Sequence, residues 1–148
     1  MSKTNAHARR YFDARLDRLR LAAEEPPPHK GWIRAIRDAL GMSSSELAAR
    51  MGVGQPTMSG LERGEVLGTI KLGTLRRAAA ALDCDLVYYL APRTTLEEAA
   101  LARARHKARG DLANASMLAN GETADGDTST RLDELVSHYL DRRGLWTD

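Results

Sequence analysis

The residues between Gln55 and Arg63 have the side chains with the clearest chemical capacity in this sequence. In the segment QPTMSGLER, the apolar Met58 and Leu61 recur at the spacing of one helix face, and the other positions are mostly polar or small. A glutamine amide can form two hydrogen bonds with the N6 and N7 atoms of adenine, and serine can donate to bases or anions. The outer face is therefore suited to recognition rather than to covalent chemistry.

Two short helices joined by a glycine turn must position this face. Ser43 and Glu46 have the spacing of a capping box, which opens a helix, and Gly52 is suited to the left-handed residue that ends it. A second helix begins after only two intervening residues, at Gln55, and is predicted to end at Gly64. This is the arrangement of a helix-turn-helix, whose second helix lies in the major groove of DNA.

The rest of the chain also has mainly helical periodicity. A helix is predicted over residues 5–24, ended by consecutive prolines that act as a spacer. In the block 31–92, further helices precede and follow the central pair, and the apolar run Leu86–Leu90 predicts a short β-strand. We expect this strand to pair with its copy in a homodimer, because an unpaired apolar edge favours association.

The C-terminal third is predicted to be a helical extension. The capping box from Thr95 to Glu98 opens a helix to about Arg109, which Gly110 either breaks or bends before a stretch over 111–119. A polar loop is predicted over 120–130, followed by a final amphipathic helix. The sequence thus predicts an all-α protein in three segments, 1–30, 31–92 and 93–148.

Charge is unevenly distributed along the chain. Residues 1–110 carry 19 basic and 12 acidic groups, a net +7, whereas residues 111–148 have a net charge of −5. A basic body favours a polyanionic partner, although two ordinary solvated surfaces would give the same pattern. The basic run on the predicted helix before Gly110 has the same two interpretations, and it comprises Arg103, Arg105, Lys107 and Arg109.

Several classes of protein are disfavoured. The single cysteine, Cys84, excludes a disulfide framework and a cysteine-built zinc site, and the four histidines have no metal-ligand spacing. No nucleophile–base pair or phosphate-cradling loop is visible, so we expect neither an enzyme nor a cofactor. The longest apolar run is far shorter than the roughly 20 residues of a membrane span, and no secretory signal is visible. We therefore expect a cytoplasmic protein.

The segment from Met42 to Gly64 closely resembles the phage Cro/repressor-like helix-turn-helix family, often called XRE. The resemblance rests on the capping serine, the turn glycine, the core positions and the ending Leu61-Glu62-x-Gly64. It implies a five-helix DNA-binding core, a structural ion pair between Arg37 and Glu62, and phosphate contacts near helix N-termini. The residues predicted to bind DNA are Ser43, Ser44, Gln55, Pro56, Thr57, Ser59, Gly60, Arg63, Thr69 and Lys71.

Gly60 departs from this family, whose members usually have a larger side chain there. Either the backbone approaches the duplex closely at Gly60, or base recognition is absent at this position. With so few base-reading side chains, we expect the shape of the DNA to supply part of the specificity. An inverted-repeat operator bound by a homodimer would place two such helices about 34 Å apart.

Residues 31–109 more specifically resemble the family named "mobile mystery protein A", whose members are typically encoded beside a Fic-domain protein. Fic enzymes generally transfer AMP from ATP to protein hydroxyls. The resemblance implies an autorepressor and antitoxin with a Fic-domain partner. Fic inhibition generally uses the pattern Ser/Thr-x-x-x-Glu-Gly/Asn, which Ser116, Asn120 and Gly121 approach. Asn120 stands where the pattern requires glutamate, and Asn-Gly is also a common helix end.

A second hypothesis makes the chain mainly a protein-binding inhibitor. The acidic C-terminal segment has an apolar face comprising Leu135, Val136, Tyr139 and Leu140. This face must be buried against a partner enzyme, against a second copy or against the chain's own core.

Overall fold

The computed structural model describes residues 2–118, 125–142 and 144–147, and all regular secondary structure in these ranges is α-helical. The all-α prediction is therefore confirmed. None of the helices in these ranges is both long enough and apolar enough to span a bilayer. The helices are α1 (Ser2–Glu24), α2 (Trp32–Ala39), α3 (Ser44–Met51), α4 (Gln55–Leu67), α5 (Leu72–Ala81), α6 (Leu96–Leu118) and α7 (Asp125–Asp141).

The chain divides into two compact units. Glu24–Leu90 forms the central unit, and Met1–Ala23 together with Ala91–Asp148 forms the terminal unit. The sequence predicts separate segments for the N-terminal helix and the C-terminal extension, whereas the structure groups them together. The physical reason is that side chains of α1 hold the first turn of α6.

Large apolar side chains from four helices form the core of the central unit. Leu47 and Met58 are fully buried and pack in one cluster with Ile33, Ala78 and Leu82. Full burial of a Leu, Ile or Met side chain stabilises a fold by about 1.5–3 kcal/mol. This cluster therefore fixes α4 against α2, α3 and α5.

The start and the end of α3 follow local signals in the sequence. The Ser43 hydroxyl accepts a hydrogen bond from the Glu46 N–H at 3.2 Å, and the Glu46 carboxylate accepts one from the Ser43 N–H at 2.7 Å. Gly52 ends the helix in the left-handed region with φ 69°. The predicted capping box and glycine stop are both formed, and they set the short turn into α4.

The end of α4 differs from the prediction. The helix continues past Gly64 to Leu67, and the left-handed residue that follows it is Gly68, with φ 71°. A Cβ atom on Gly64 would lie 3.4 Å from the Thr69 hydroxyl and 3.6 Å from the Ile70 nitrogen. Gly64 therefore does not end the helix, and a Cβ atom there would be in ordinary van der Waals contact with the next loop.

Residues 86–90 do not form the predicted β-strand in the single chain. They follow α5 after Asp83, which has φ 55°, and they have no regular secondary structure. A strand needs a neighbouring backbone with which to form hydrogen bonds, and no strand is present in the part of the chain that the structure describes. The central unit, Glu24–Leu90, contains the four helices α2 to α5. The family resemblance implied five helices, but the next helix along the chain, α6, belongs to the terminal unit.

In the terminal unit, α6 and α7 pack through small side chains. Ala100, Ala104 and Ala108 recur every four residues on α6 and are buried, together with Val136 of α7. The helix α6 runs without a break through Gly110, and α7 begins at Asp125, inside the predicted loop. Residues 120–124 of that loop lie outside the described ranges.

The apolar face of α7 is covered within the chain. Val136 is buried, and the other three apolar residues that raised the question of a partner pack against the same cluster on α6. Of the alternatives that the sequence left open, burial against the chain's own core is the one observed in the structure. These residues are therefore part of the fold of the terminal unit.

Side chains from another helix complete the first turn of α6. The Asp13 carboxylate on α1 accepts hydrogen bonds from the Leu96 N–H at 2.6 Å and the Glu97 N–H at 3.2 Å. Thr95 and Glu98 form the predicted capping box, with both hydrogen bonds at 3.1 Å. An ion pair of 2.6 Å between Arg9 and Glu97 adds a further link between α1 and α6.

Two cations of the basic run on α6 hold the C-terminal turn. The Arg103 Nε atom donates to the Leu145 carbonyl at 3.2 Å, and the Lys107 ammonium donates to the Thr147 carbonyl at 2.6 Å. Arg105 and Arg109 are exposed to solvent. The basic run is therefore partly structural, and only its other half is displayed on the surface.

Candidate nucleic-acid interface

The helix α4 has one buried face and one exposed face. Met58 is fully buried and Glu62 is 9% exposed, so these two residues anchor the inner face. All the α4 residues that the sequence predicted to bind DNA are exposed. They form the outer surface of the helix, and they are Gln55, Pro56, Thr57, Ser59, Gly60 and Arg63.

Gly60 leaves open space in the middle of this surface. A Cβ atom built at Gly60 would have no neighbouring atom within 4 Å, outside its own helix backbone and adjacent residues. The glycine is therefore not required by packing within the chain. The absence of a side chain gives a partner direct access to the α4 backbone at this point.

The first turn of α4 has no side-chain cap. Its N-cap residue is Gly54, which has no side chain to accept a hydrogen bond, and Pro56 lies within the first turn. The leading N–H groups of a helix attract anions, and an uncapped turn leaves them free of side-chain competition. The Thr57 side chain is exposed beside this turn. The geometry is therefore suited to a phosphate contact.

The start of α3 is less open to an anion. Its capping box occupies the Ser43 hydroxyl, and the hydrogen bond from the Ser43 backbone lowers the pKa of the Glu46 carboxyl, which keeps negative charge there. The Ser44 hydroxyl is buried and has no hydrogen-bond partner in the structure. A phosphate contact from Ser43 or Ser44 therefore requires their side chains to move.

The loop after α4 contains the last two predicted contacts. Thr69 is exposed, and its hydroxyl lies 3.4 Å from the Gly64 carbonyl, to which it donates. Lys71 is the N-cap residue of α5, and its side chain is also exposed. Both side chains are thus accessible to a phosphate backbone.

Arg37 of α2 and Glu62 of α4 form a buried ion pair. The Arg37 Nε atom lies 2.8 Å from the Glu62 carboxylate, and both residues are at most 9% exposed. Arg37 also donates to the Met42 carbonyl at 2.9 Å and pairs with Asp38 at 2.9 Å. The hydrogen bond to Glu62 raises the pKa of Arg37 above its ordinary value. The Arg37 guanidinium is thus paired with acceptors inside the protein, which is the arrangement expected of a structural ion pair.

A second carboxylate of α4 was missed by the sequence analysis. The Glu65 carboxylate accepts hydrogen bonds from the Trp32 N–H at 2.8 Å and the Ile33 N–H at 2.9 Å, and so caps the start of α2. The N-cap residue Gly31 makes no side-chain cap of its own. The available signal was the lack of a Ser, Thr, Asp or Asn before α2, which means that its N–H groups need another acceptor.

The predicted Fic-inhibitory motif is only partly described. Ser116 is half-buried near the end of α6, whereas Asn120 and Gly121 lie outside the described ranges.

Comparison with known proteins adds one finding. Residues 33–89 match a family model described as helix-turn-helix, and the match lies entirely within the central unit. No curated protein and no solved structure is significantly similar to the chain. The exposed face of α4 and the family match together support a DNA-binding regulator whose helix-turn-helix segment is residues 33–89.

Proposed function

We propose that this protein is a sequence-specific transcriptional regulator that reads the major groove of DNA with α4. The observation that carries the proposal is the division of α4 into an inner face fixed by Met58 and Glu62 and an outer face on which every predicted contact is exposed. In this proposal Gln55 pairs with adenine, and Ser59 and Arg63 contact bases or phosphates. Thr57, Thr69 and Lys71 contact the phosphate backbone, as do Ser43 and Ser44 after rearrangement.

The direct test selects binding sites from random duplexes with the full chain. The selected sequence is then used to measure the affinities of Gln55→Ala and Arg63→Ala. Loss of one good base contact should cost about 1–3 kcal/mol and relax the preference at one base position. Arg18→Ala is the matched control, because Arg18 is an exposed arginine of the terminal unit that lies outside the basic run of α6. Selection of no preferred sequence, or equal losses in the control, would contradict the proposal.

We further propose that the regulator binds an inverted repeat as a homodimer formed through residues 86–90. Val87 is 79% exposed and Leu90 is 86% exposed, and Tyr88 between them is also exposed. Pairing of this segment with its copy would supply the missing strand partner and cover these side chains. Sedimentation of Val87→Asp should then show a shift towards monomer. Leu118→Asp is the control, since it alters an equally exposed leucine of the terminal unit.

The resemblance to proteins encoded beside Fic-domain proteins extends the proposal to an autorepressor and antitoxin. Its first test is repression of a reporter by the chain's own promoter region. Its second test is AMP transfer by the neighbouring Fic-domain protein, with and without this chain. If Ser116→Ala and Asn120→Ala leave the inhibition unchanged, the imperfect motif is not the inhibitory site.

The competing proposal, a protein-binding inhibitor acting through the C-terminal helices, keeps one supporting observation. Met117 and Leu118 are exposed side by side at the end of α6. A truncation at Arg109 is unsuitable as a test, because it removes α7 from the alanine face of α6. The double variant Met117→Ser with Leu118→Ser leaves that core intact. Loss of inhibition of a Fic-domain partner in this variant, with DNA binding preserved, would favour the competing proposal.

A further inference from the structure

The helix α4 is attached to α2 at two separate points. Glu62 pairs with Arg37 in the last turn of α2, and Glu65 caps the first turn of the same helix. The two acids are three residues apart on α4, and so lie on one face of it. The apolar cluster around Met58 already holds α4 against α2, and the two polar contacts at the two ends of α2 further restrict the rotation of α4.

The backbone at Gly31 is shaped around the second contact. Gly31 has φ 83°, a conformation that L residues rarely adopt. A Cβ atom there would lie 2.8 Å from the Oε2 atom of Glu65. The absence of a side chain at Gly31 is therefore what allows the carboxylate to reach both N–H groups of α2.

The consequence for recognition follows from the geometry of base contacts. Phosphate contacts tolerate small displacements, but base contacts in the major groove depend on the direction of each donor and acceptor. The exposed side chains of α4 are carried on the same helix as Glu62 and Glu65. A small rotation of α4 would move Gln55 and Ser59 relative to the bases while leaving positive charge close to the phosphates.

We propose that Glu65 is a positioning residue for DNA recognition, which fixes the outer face of α4 by capping α2 without touching the DNA. This inference rests on the proposed DNA-binding function. It predicts that loss of the cap lowers the affinity for the cognate site more than the affinity for unrelated DNA.

The test uses Glu65→Gln in the full chain. Glutamine keeps the size of the side chain, but only one of its two terminal atoms can accept a hydrogen bond. The affinity for the selected operator should fall about ten-fold, the loss of roughly one good base contact. The affinity for an unrelated duplex and the salt dependence should stay the same, because the phosphate-contacting side chains remain.

Two further variants separate positioning from general weakening. Asp13→Asn makes the same chemical change in the equivalent cap of α6, in the terminal unit, and should leave both affinities unchanged. Gly31→Ala displaces the Glu65 carboxylate without removing it, and should reproduce the selective loss. If Gly31→Ala does not fold, as judged by circular dichroism, Glu65→Gln alone decides the outcome.

The proposal is overturned if Glu65→Gln binds the operator as tightly as wild type. It is also overturned if operator and unrelated duplex are weakened equally, or if Asp13→Asn loses operator affinity to the same extent. Failure of the wild-type chain to select any operator would overturn the DNA-binding function itself. These two failures are distinguishable, because the wild-type selection comes before any variant is measured.

Discussion

The central and terminal units use the same device in different surroundings. In each, a carboxylate from one helix caps the first turn of another, Glu65 at α2 and Asp13 at α6. The helix α6 also has its own capping box at Thr95, whereas α2 has no other side-chain cap. The cap from a distant residue thus supplements a local cap at α6, whereas at α2 it is the side-chain cap that the helix has.

The cores of the two units also differ, in the size of the side chains that fill them. Large side chains such as Leu47 and Met58 fill the central unit, and a stripe of alanines on α6 lets α7 approach closely in the terminal unit. The central unit should therefore be sensitive to loss of volume, and the terminal unit to added volume. The following five variants or pairs of variants test this contrast and the role of the caps.

Removal of an ion pair should give the largest difference in unfolding free energy between the two units. Glu62→Ala removes the buried partner of Arg37, which keeps only the exposed carboxylate of Asp38 as an ion-pair partner, and we expect a loss of up to about 3–5 kcal/mol in the unfolding free energy. Glu97→Ala removes the partner of Arg9 in a more exposed pair and should cost about 0–1 kcal/mol. Urea denaturation of both variants gives the comparison. Similar losses would show that burial of the pair does not set its contribution.

Core substitutions come next. Leu47→Ala removes a fully buried side chain, and should cost about 2–5 kcal/mol. Ala104→Leu adds volume between α6 and α7 and should cost about 1–3 kcal/mol. Chemical denaturation monitored by far-UV circular dichroism measures both. A neutral Ala104→Leu would mean that α6 and α7 can separate without loss.

The two caps should differ by a smaller amount. Glu65→Ala leaves α2 uncapped, and we expect a loss of about 1–2 kcal/mol. Asp13→Ala should cost less, because the capping box at Thr95 still supplies an acceptor for α6. Thermal unfolding of the two variants provides the measurement. A larger loss for Asp13→Ala would reverse the proposed order of dependence.

Two open glycines within helices provide a matched pair. Gly60 in α4 and Gly110 in α6 both have free space where a Cβ atom would lie. Each substitution to alanine should raise the unfolding free energy by about 0.5–1 kcal/mol. Only Gly60→Ala should change DNA affinity. A lower affinity would indicate that the duplex closely approaches the backbone at Gly60, whereas a higher affinity would indicate that no base is recognised at this position. Equal effects of both variants on DNA binding would remove Gly60 from the interface.

The smallest effect concerns pH. The hydrogen bond from the Ser43 backbone lowers the pKa of Glu46, so the ionised carboxylate stabilises the folded state. This contribution is present above the unfolded-state pKa of about 4.3 and is lost as the pH falls through the lower folded-state value. The stability difference between wild type and Glu46→Gln should therefore shrink from pH 7 to pH 3. Glu134→Gln, at an exposed position of α7, serves as the control.

The sequence predicted those features whose causes are local. The capping boxes at Ser43 and Thr95 and the left-handed Gly52 follow from residues within one or two turns of each other. The pairing of Arg37 with Glu62 came from the family resemblance and not from spacing alone. The outer face of α4 followed from the helical period of its apolar residues.

The features that were missed depend on distant partners. Glu65 reaches Trp32 across 33 positions of sequence, and Asp13 reaches Leu96 across 83. A single carboxylate in a helix has no local pattern that reveals such a contact. The prediction of a strand over residues 86–90 was wrong for the single chain for a related reason. The β-propensity of a segment describes its own residues and not the presence of a neighbouring strand.

The separation between Asp13 and Leu96 has a consequence for synthesis. Domains generally fold during synthesis in the order in which they leave the ribosome. The central unit lies between α1 and α6 in the chain, so all residues of its core are synthesised before Leu96. The cap that Asp13 of α1 provides for α6 therefore forms late, although α1 is made early. A nascent chain should thus be able to fold its helix-turn-helix segment before α6 is available to pack against α1.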